Sequence, residues 1–175
     1  MLPDDPWRPF FNELDRLMPE PVELRCLGGF ALVHAYGVAR TTNDVDFISV
    51  VPHPLQQTLS GLGGRDSALH KRHKVFLDAV TVATPPDGYE RRLRPLFPGA
   101  WKFIALYALE AHDLALAKLE RNFERDRDDV YRLAAAGHLD RAVLRKRYAE
   151  ELRPYLARET WHDQTFNMWL EAFWP

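Results

Sequence analysis

The sequence has 175 residues, a formal net charge of −2 at pH 7 and 46% hydrophobic residues. This length and composition predict a globular protein of one domain, or of one domain with a helical extension. The net charge is too small to indicate any class of binding partner. The single cysteine, Cys26, excludes an intramolecular disulfide and a cysteine-based zinc site. No apolar run approaches the length of a membrane span, and the proline-rich, acidic start is unlike a signal peptide. We therefore expect a cytoplasmic protein with no membrane partner.

The first elements predicted in chain order lead to a glycine-rich turn. Apolar residues at helical spacing predict a helix over Pro9–Met18, and Leu24–Leu27 is typical of a short buried strand. The paired glycines Gly28 and Gly29 then allow a tight turn in which backbone N–H groups can approach an anion. A buried helix over Phe30–Tyr36 follows.

The next predicted strand, Asp44–Val51, carries two carboxylates at its start. Residues two apart on a strand point to the same face, so Asp44 and Asp46 project together. Two adjacent carboxylates repel unless a cation lies between them, and oxygen ligands favour a hard ion such as Mg²⁺. The alternative is a solvated strand end or turn, which is the commoner meaning of an isolated Asp-x-Asp pair.

A basic stretch surrounds a third carboxylate. Ala68–His70 and Val75–Val82 are predicted as two strands around a basic turn, and Asp78 is an acid within the second of them. A buried carboxylate needs a partner, so Asp78 either completes a metal site or is an edge-strand acid paired with an arginine. Lys and Arg outnumber Asp and Glu over Arg65–Lys102, which indicates either a nucleic-acid-binding surface or an ordinary solvated face.

The last third of the sequence predicts mainly helices. A strand over Phe103–Leu109 precedes a helix with Asp113 as its N-cap, and Lys118 falls near the edge of the apolar face of that helix. The residues alone favour a surface lysine whose side chain snorkels to solvent. Three further helices are predicted, over 126–136, 139–156 and 160–173.

Two groups of motifs together resemble a known family. The first is Gly28-Gly29, a short helix and Arg40-Thr-x-x-Asp44-x-Asp46. The second is Asp-Leu-Ala-Leu-x-Lys118-Leu followed by Arg-Asp126-x-x-Asp. This pattern resembles the nucleotidyltransferase-fold proteins, and is most similar to the branch of the AbiEii-type toxins and their small uncharacterised bacterial relatives. The resemblance extends from about Leu24 to Tyr155.

The resemblance implies an α/β (α+β) fold, with a nucleotidyltransferase core over residues 1–111 and a helical region over 112–175. It implies transfer of a nucleotidyl group from an NTP to an acceptor hydroxyl, assisted by two Mg²⁺ ions. The implied catalytic and metal-binding residues are Asp44, Asp46 and Asp78. The implied nucleotide-binding residues are Gly28, Gly29, Arg40, Thr42, Lys118, Arg121 and Asp126.

The resemblance also implies partners, and it leaves one alternative open. One hypothesis is a toxin whose acceptor is RNA, specifically tRNA, and whose partner is a cognate antitoxin protein. The sequence does not name the acceptor, and a protein or small-molecule acceptor is the alternative to RNA. Many active transferases have Ser after the first glycine, whereas this chain has Gly29. The alternative is therefore a catalytically inactive nucleotide-binding or protein-binding module with the same fold.

Overall fold

The computed structural model describes residues 3–174. These residues form two compact units. The first unit contains the chain up to Thr81 together with Leu93–Ala108, and the second contains Val82–Arg92 together with the chain from Leu109 onward. Compact units are not folding domains, so a core over residues 1–111 with a helical region over 112–175 stays a prediction.

A five-stranded mixed sheet forms the centre of the first unit. Its strands are β1 (Val22–Leu27), β2 (Asp44–Val51), β3 (Phe76–Ala79), β4 (Arg94–Leu96) and β5 (Ile104–Ala108). They lie in the order β3-β2-β1-β5-β4, with parallel pairs β2/β3 and β1/β5 and antiparallel pairs β1/β2 and β4/β5. The predicted mixed sheet is confirmed.

Four helices accompany this sheet within the first unit. They are α1 (Trp7–Leu17), α2 (Gly28–Tyr36), α3 (Gln56–Gly63) and α4 (Ala68–His73). The apolar stripe of α1 is fully buried at Phe10, Phe11 and Leu14, as its helical spacing predicts. On the same helix, the Asp15 carboxylate accepts hydrogen bonds from the backbone N–H groups of Phe103 and Ile104, at 2.7 and 3.0 Å, and so fixes the start of β5.

The two faces of β2 differ in burial, and this difference positions the site. Val45 and Phe47 are buried at 0% and 1% exposure. Asp44 and Asp46 alternate with them and are only half-buried. Strand alternation therefore sends the apolar side chains into the core and the two carboxylates to the opposite face.

The second unit is helical, with α5 (Ala111–Ala117), α6 (Glu124–Ala135), α7 (Arg141–Arg147) and α8 (Glu159–Phe173). A π-helical turn (Tyr148–Leu152) and a 3-10 turn (Arg153–Tyr155) continue α7. No helix among residues 3–174 is long and apolar enough to cross a membrane.

A network of ion pairs holds the segment Val82–Arg92 to the rest of this unit. The Arg92 guanidinium donates to both oxygens of the fully buried Asp113, at 2.8 and 3.0 Å, and to Glu151 at 2.7 Å. Arg147 donates to Asp113 from helix α7 at 2.9 Å. Because two arginines neutralise Asp113, its burial does not leave an unpaired charge.

Two local predictions are wrong. Ala68–His70, predicted as a strand, is the first turn of α4, where the Ser67 side chain accepts a hydrogen bond from the backbone N–H of His70. Asp113, predicted as an N-cap, lies within α5, whose N-cap is Glu110. In both places a side-chain acceptor one turn earlier begins the helix.

Candidate functional site

Three carboxylates converge at one end of two parallel strands. Asp44 and Asp46 begin β2, and Asp78 lies on β3 directly opposite Asp46 in the register. One carboxylate oxygen from each of the three lies within 4.8 Å of the others, and all three residues are half-buried. Three negative charges at this spacing repel one another, and a divalent cation with oxygen ligands would relieve the repulsion. The structure thus brings together all three predicted metal ligands.

The close approach of the Asp46 carboxylate requires a glycine at the start of α2. Gly28 has φ +74°, in the left-handed region that side chains rarely adopt. A Cβ at this position would lie 1.7 Å from Oδ2 of Asp46, so no other residue could occupy it without moving the carboxylate. Gly28 therefore leaves room for the carboxylate of a predicted metal ligand, a contact that the sequence did not reveal because the two residues are distant in the chain.

The close approach of side chains from the loop before β2 requires the second glycine. A Cβ on Gly29 would lie 2.8 Å from both Cβ and Oγ1 of Thr42, and 3.2 Å from Cζ of Arg40. Both glycines are buried. Contacts of Gly28, Gly29, Arg40 and Thr42 with a nucleotide stay predictions.

Cys26 lies behind the triad on β1 and is fully buried. Burial raises the pKa of the Cys26 thiol far above its usual range, and the negative charge of Asp46 raises it further. The thiol is therefore protonated at neutral pH and acts as a small core side chain, as predicted.

Lys118 lies in the second unit, where it is a buried residue and not the predicted surface lysine. It is 3% exposed, and its Nζ donates to Asp126 at 3.2 Å and to Asp129 at 2.7 Å. Arg121 donates to both oxygens of Asp126, at 2.8 and 2.6 Å. Two cations thus neutralise two buried carboxylates. Contact of Lys118, Arg121 and Asp126 with nucleotide stays a prediction.

Asp126 also fixes the start of α6. It accepts a hydrogen bond from the backbone N–H of Phe123 at 3.1 Å, closing the first turn. Burial acts to raise the pKa of Asp126, but the hydrogen bond from Arg121 and the charges of Lys118 and Arg121 outweigh it, so the pKa lies below its usual value. The carboxylate is therefore ionised at neutral pH.

A separate cleft of about 430 Å³ lies at the other end of β1, where the lining residues include Val22, Pro52 and Trp101. Its lining is mostly apolar, and none of the three clustered carboxylates contributes to it. Because transfer chemistry on phosphates needs charged or metal-binding groups, we place the candidate active site at the carboxylates and not in this cleft.

Comparison with known proteins identifies the family of the chain. The profile of a family described as "Nucleotidyltransferase of unknown function (DUF6036)" matches residues 9–173. The chain therefore belongs to this family of nucleotidyltransferases. No curated protein and no solved structure matches the chain.

The Gly28 contact yields a prediction with a matched control. Gly28→Ala is expected to lower stability and divalent-cation binding together, because the new methyl group must displace Asp46. Gly37 has φ +65° with no atom within 4 Å of the added Cβ, so Gly37→Ala measures backbone strain alone, about 1–2 kcal/mol. Chemical denaturation and Mn²⁺ calorimetry check both variants. Equal losses of stability with equal Mn²⁺ affinity would contradict the role of Gly28.

Proposed function

We propose that this protein transfers a nucleotidyl group from an NTP to an acceptor hydroxyl, with Mg²⁺ held by Asp44, Asp46 and Asp78. The observation that supports the proposal is the convergence of three carboxylates within 4.8 Å in a chain that belongs to a nucleotidyltransferase family. The donor set fits the ion, since Mg²⁺ prefers carboxylate oxygens together with substrate phosphates. When bound, two such ions would polarise the phosphoryl oxygens and neutralise charge in the transition state.

The protein's own residues have defined tasks in this reaction. The acceptor oxygen forms a bond to the α-phosphorus as the bond from that phosphorus to the bridging oxygen breaks, and pyrophosphate leaves with the electron pair. We assign to the Asp78 carboxylate the proton of the acceptor hydroxyl, because it lies with Asp44 and Asp46 at the proposed site of the reaction. The Lys118 ammonium group donates to Asp126 and Asp129 in this structure, and its contact with the nucleotide stays a prediction.

The direct test is incubation of the purified protein with each labelled NTP, Mg²⁺ and total cellular RNA or protein. Transfer of label to a macromolecule supports the proposal and names the acceptor class, provided that EDTA abolishes the transfer. Binding of NTP without transfer to any acceptor would instead favour the inactive nucleotide-binding module.

RNA is the acceptor class that the charges in the first unit favour. The Arg65 guanidinium lies 4.3 Å from the centroid of the Phe76 ring. Phe76 is opposite Asp44 in the register and two residues before Asp78 on the same strand. Strand alternation places the Phe76 ring, which Arg65 covers, on the same face of β3 as Asp78. Nearby, Lys71 and Lys74 are exposed, whereas Arg72 is paired with Glu13.

This arrangement predicts salt-dependent RNA binding. Arg65→Glu is expected to weaken tRNA binding and to reduce its salt dependence, since each phosphate contact to a single strand contributes a slope of about 0.7 log units per log unit of salt. The exposed Lys146 of the second unit provides the control, Lys146→Glu. Titrations of labelled tRNA at two salt concentrations make the measurement. Equal tRNA affinity for the wild type and Arg65→Glu would contradict RNA contact at this position.

A toxin role with a cognate antitoxin rests on the resemblance to AbiEii-type proteins. Expression of the wild type and of Asp46→Asn in bacterial cells, scored by growth, tests it. Growth arrest by the wild type alone supports a toxin, and equal growth contradicts one.

A further inference from the structure

Thr42 makes a direct contact with a carboxylate of the triad. Its Oγ1 donates a hydrogen bond to Oδ1 of Asp44 at 2.8 Å, and lies 3.2 Å from the backbone oxygen of the same residue. Thr42 is half-buried in the loop that leads into β2, two residues before Asp44. The hydroxyl is therefore held against the first metal ligand of the strand.

The turn on the other side leaves room for this side chain. Any Cβ on Gly29 would lie 2.8 Å from both Cβ and Oγ1 of Thr42. The two glycines thus have parallel tasks, because Gly28 makes room for Asp46 and Gly29 makes room for Thr42. The absence of side chains at both glycines thus leaves space for side chains of the segment 40–46.

The Thr42 hydroxyl could either orient Asp44 or donate a hydrogen bond to a bound nucleotide, and its hydrogen-bond chemistry distinguishes these two roles. A hydroxyl has one proton to donate, and an ionised carboxylate and a phosphate oxygen are both acceptors only. The proton donated to Asp44 is therefore not available to a phosphate group of a bound nucleotide. As long as this 2.8 Å contact is kept, the hydroxyl orients Asp44 and does not donate to the substrate.

We propose that Thr42 is a positioning residue that fixes the Asp44 carboxylate for cation binding. The hydrogen bond to Oδ1 sets the rotation of the carboxylate and leaves its other oxygen to the cation. Hydrogen bonds of this kind to metal-binding carboxylates orient the ligand and contribute to metal affinity. The inference rests on the proposed function in one respect, that a divalent cation binds at the triad.

The test compares Thr42→Val, which keeps the shape of the side chain and removes the hydroxyl, with Thr42→Ser, which keeps the hydroxyl. Mn²⁺ is the probe, because carboxylate ligands suit Mn²⁺ as they suit Mg²⁺. Calorimetry is expected to show Mn²⁺ binding about 10- to 100-fold weaker for Thr42→Val, the usual effect of losing such a hydrogen bond. Thr42→Ser is expected to bind Mn²⁺ as the wild type does, and both variants to keep the wild-type melting temperature.

Transfer kinetics provide a second measurement that a merely structural role would not change. For Thr42→Val, the Mg²⁺ concentration for half-maximal rate is expected to rise, while kcat at saturating Mg²⁺ stays close to that of the wild type. A nucleotide-binding role would instead weaken NTP binding measured in EDTA and leave Mn²⁺ affinity unchanged, which would overturn the inference.

The remaining outcomes are also decisive. Wild-type Mn²⁺ affinity in Thr42→Val overturns the inference, as does a wild-type protein that binds no Mn²⁺ at millimolar concentration. Loss of Mn²⁺ affinity in Thr42→Val, with no transfer by the wild type from any NTP, supports the inference and refutes the proposed reaction. Failure of one is thus distinguishable from failure of the other.

Discussion

Asparagine in place of Asp46 is expected to abolish nucleotidyl transfer while the protein stays folded. Asp46 lies between the other two carboxylates, beside Asp44 on β2 and opposite Asp78 on β3. Asparagine keeps the shape that fits against Gly28 and removes one ligand charge. Loss of cation-assisted charge stabilisation costs several kcal/mol in the transition state. Since about 1.4 kcal/mol corresponds to a factor of ten, we expect a rate at least about 1,000-fold lower.

The same substitution is expected to leave the melting temperature of the cation-free protein unchanged or slightly higher, because it removes one of three mutually repelling charges. Rates at saturating NTP and melting curves in EDTA are measured together. Asp66→Asn, at an exposed carboxylate outside the triad, is the control for the chemical change. Transfer by Asp46→Asn at the control rate would remove Asp46 from the proposed mechanism.

Methionine in place of Lys118 is expected to destabilise the protein by about 3–5 kcal/mol, the cost of removing one partner from a buried ion pair. Asp126 and Asp129 are 0% and 2% exposed and both accept hydrogen bonds from the Lys118 ammonium group. Without Lys118, Asp126 keeps its ion pair with Arg121 and both carboxylates lose the ammonium group. Denaturant unfolding of the wild type and the variant measures the difference.

The loss is expected to depend on pH. The pKa of Asp126 is lowered in the folded protein from an ordinary value of 3.8, so its ion pairs stabilise the fold above that pH. As the pH falls through the lowered value, the carboxylate binds a proton and this contribution disappears. The difference between the wild type and Lys118→Met is therefore largest near neutral pH and decreases in acid.

Lys146→Met provides the control, because Lys146 is an exposed lysine of the same unit and exposed ion pairs contribute little to stability. Equal stability of Lys118→Met and Lys146→Met at pH 7 would contradict a structural role for Lys118.

The arrangement of the triad could be predicted because it depends on local regularities. Strand β2 has the predicted bounds, and its alternation alone places Asp44 and Asp46 on one face. Asp78 was identified as an acid inside an apolar strand, and its strand pairs with β2. The alternation of β2 involves residues of one strand, whereas the position of Asp78 on a neighbouring strand was implied by the family resemblance.

Contacts between elements could not be predicted in this way. Lys118 follows the end of α5, whereas Asp126 and Asp129 lie on α6, so helical periodicity could not show that the three meet. The sequence consequently favoured a solvated lysine. The contacts of Gly28 with Asp46 and of Gly29 with Thr42 were missed for the same reason, since each joins the turn to a loop or strand further along the chain.

A short helix was mispredicted where a side-chain N-cap begins a helix that the composition of the segment does not favour. The basic run after Ser67 contains few helix-forming apolar positions, yet the Ser67 hydroxyl begins α4 there. Asp140 is the N-cap of α7, where its carboxylate accepts a hydrogen bond from the backbone N–H of Val143 at 2.8 Å. A side-chain acceptor was therefore a better guide to these helix starts than hydrophobic spacing.

The ion pairs of Arg92 constrain the order in which a nascent chain can fold. Arg92 leaves the ribosome 21 residues before Asp113 and 59 residues before Glu151. The segment Val82–Arg92 cannot acquire these partners until the later helices have been synthesised, although the strand before it and the strands after it belong to the first unit. The strands of the sheet can therefore be synthesised while this segment still lacks its Glu151 partner, which follows Arg92 by 59 residues.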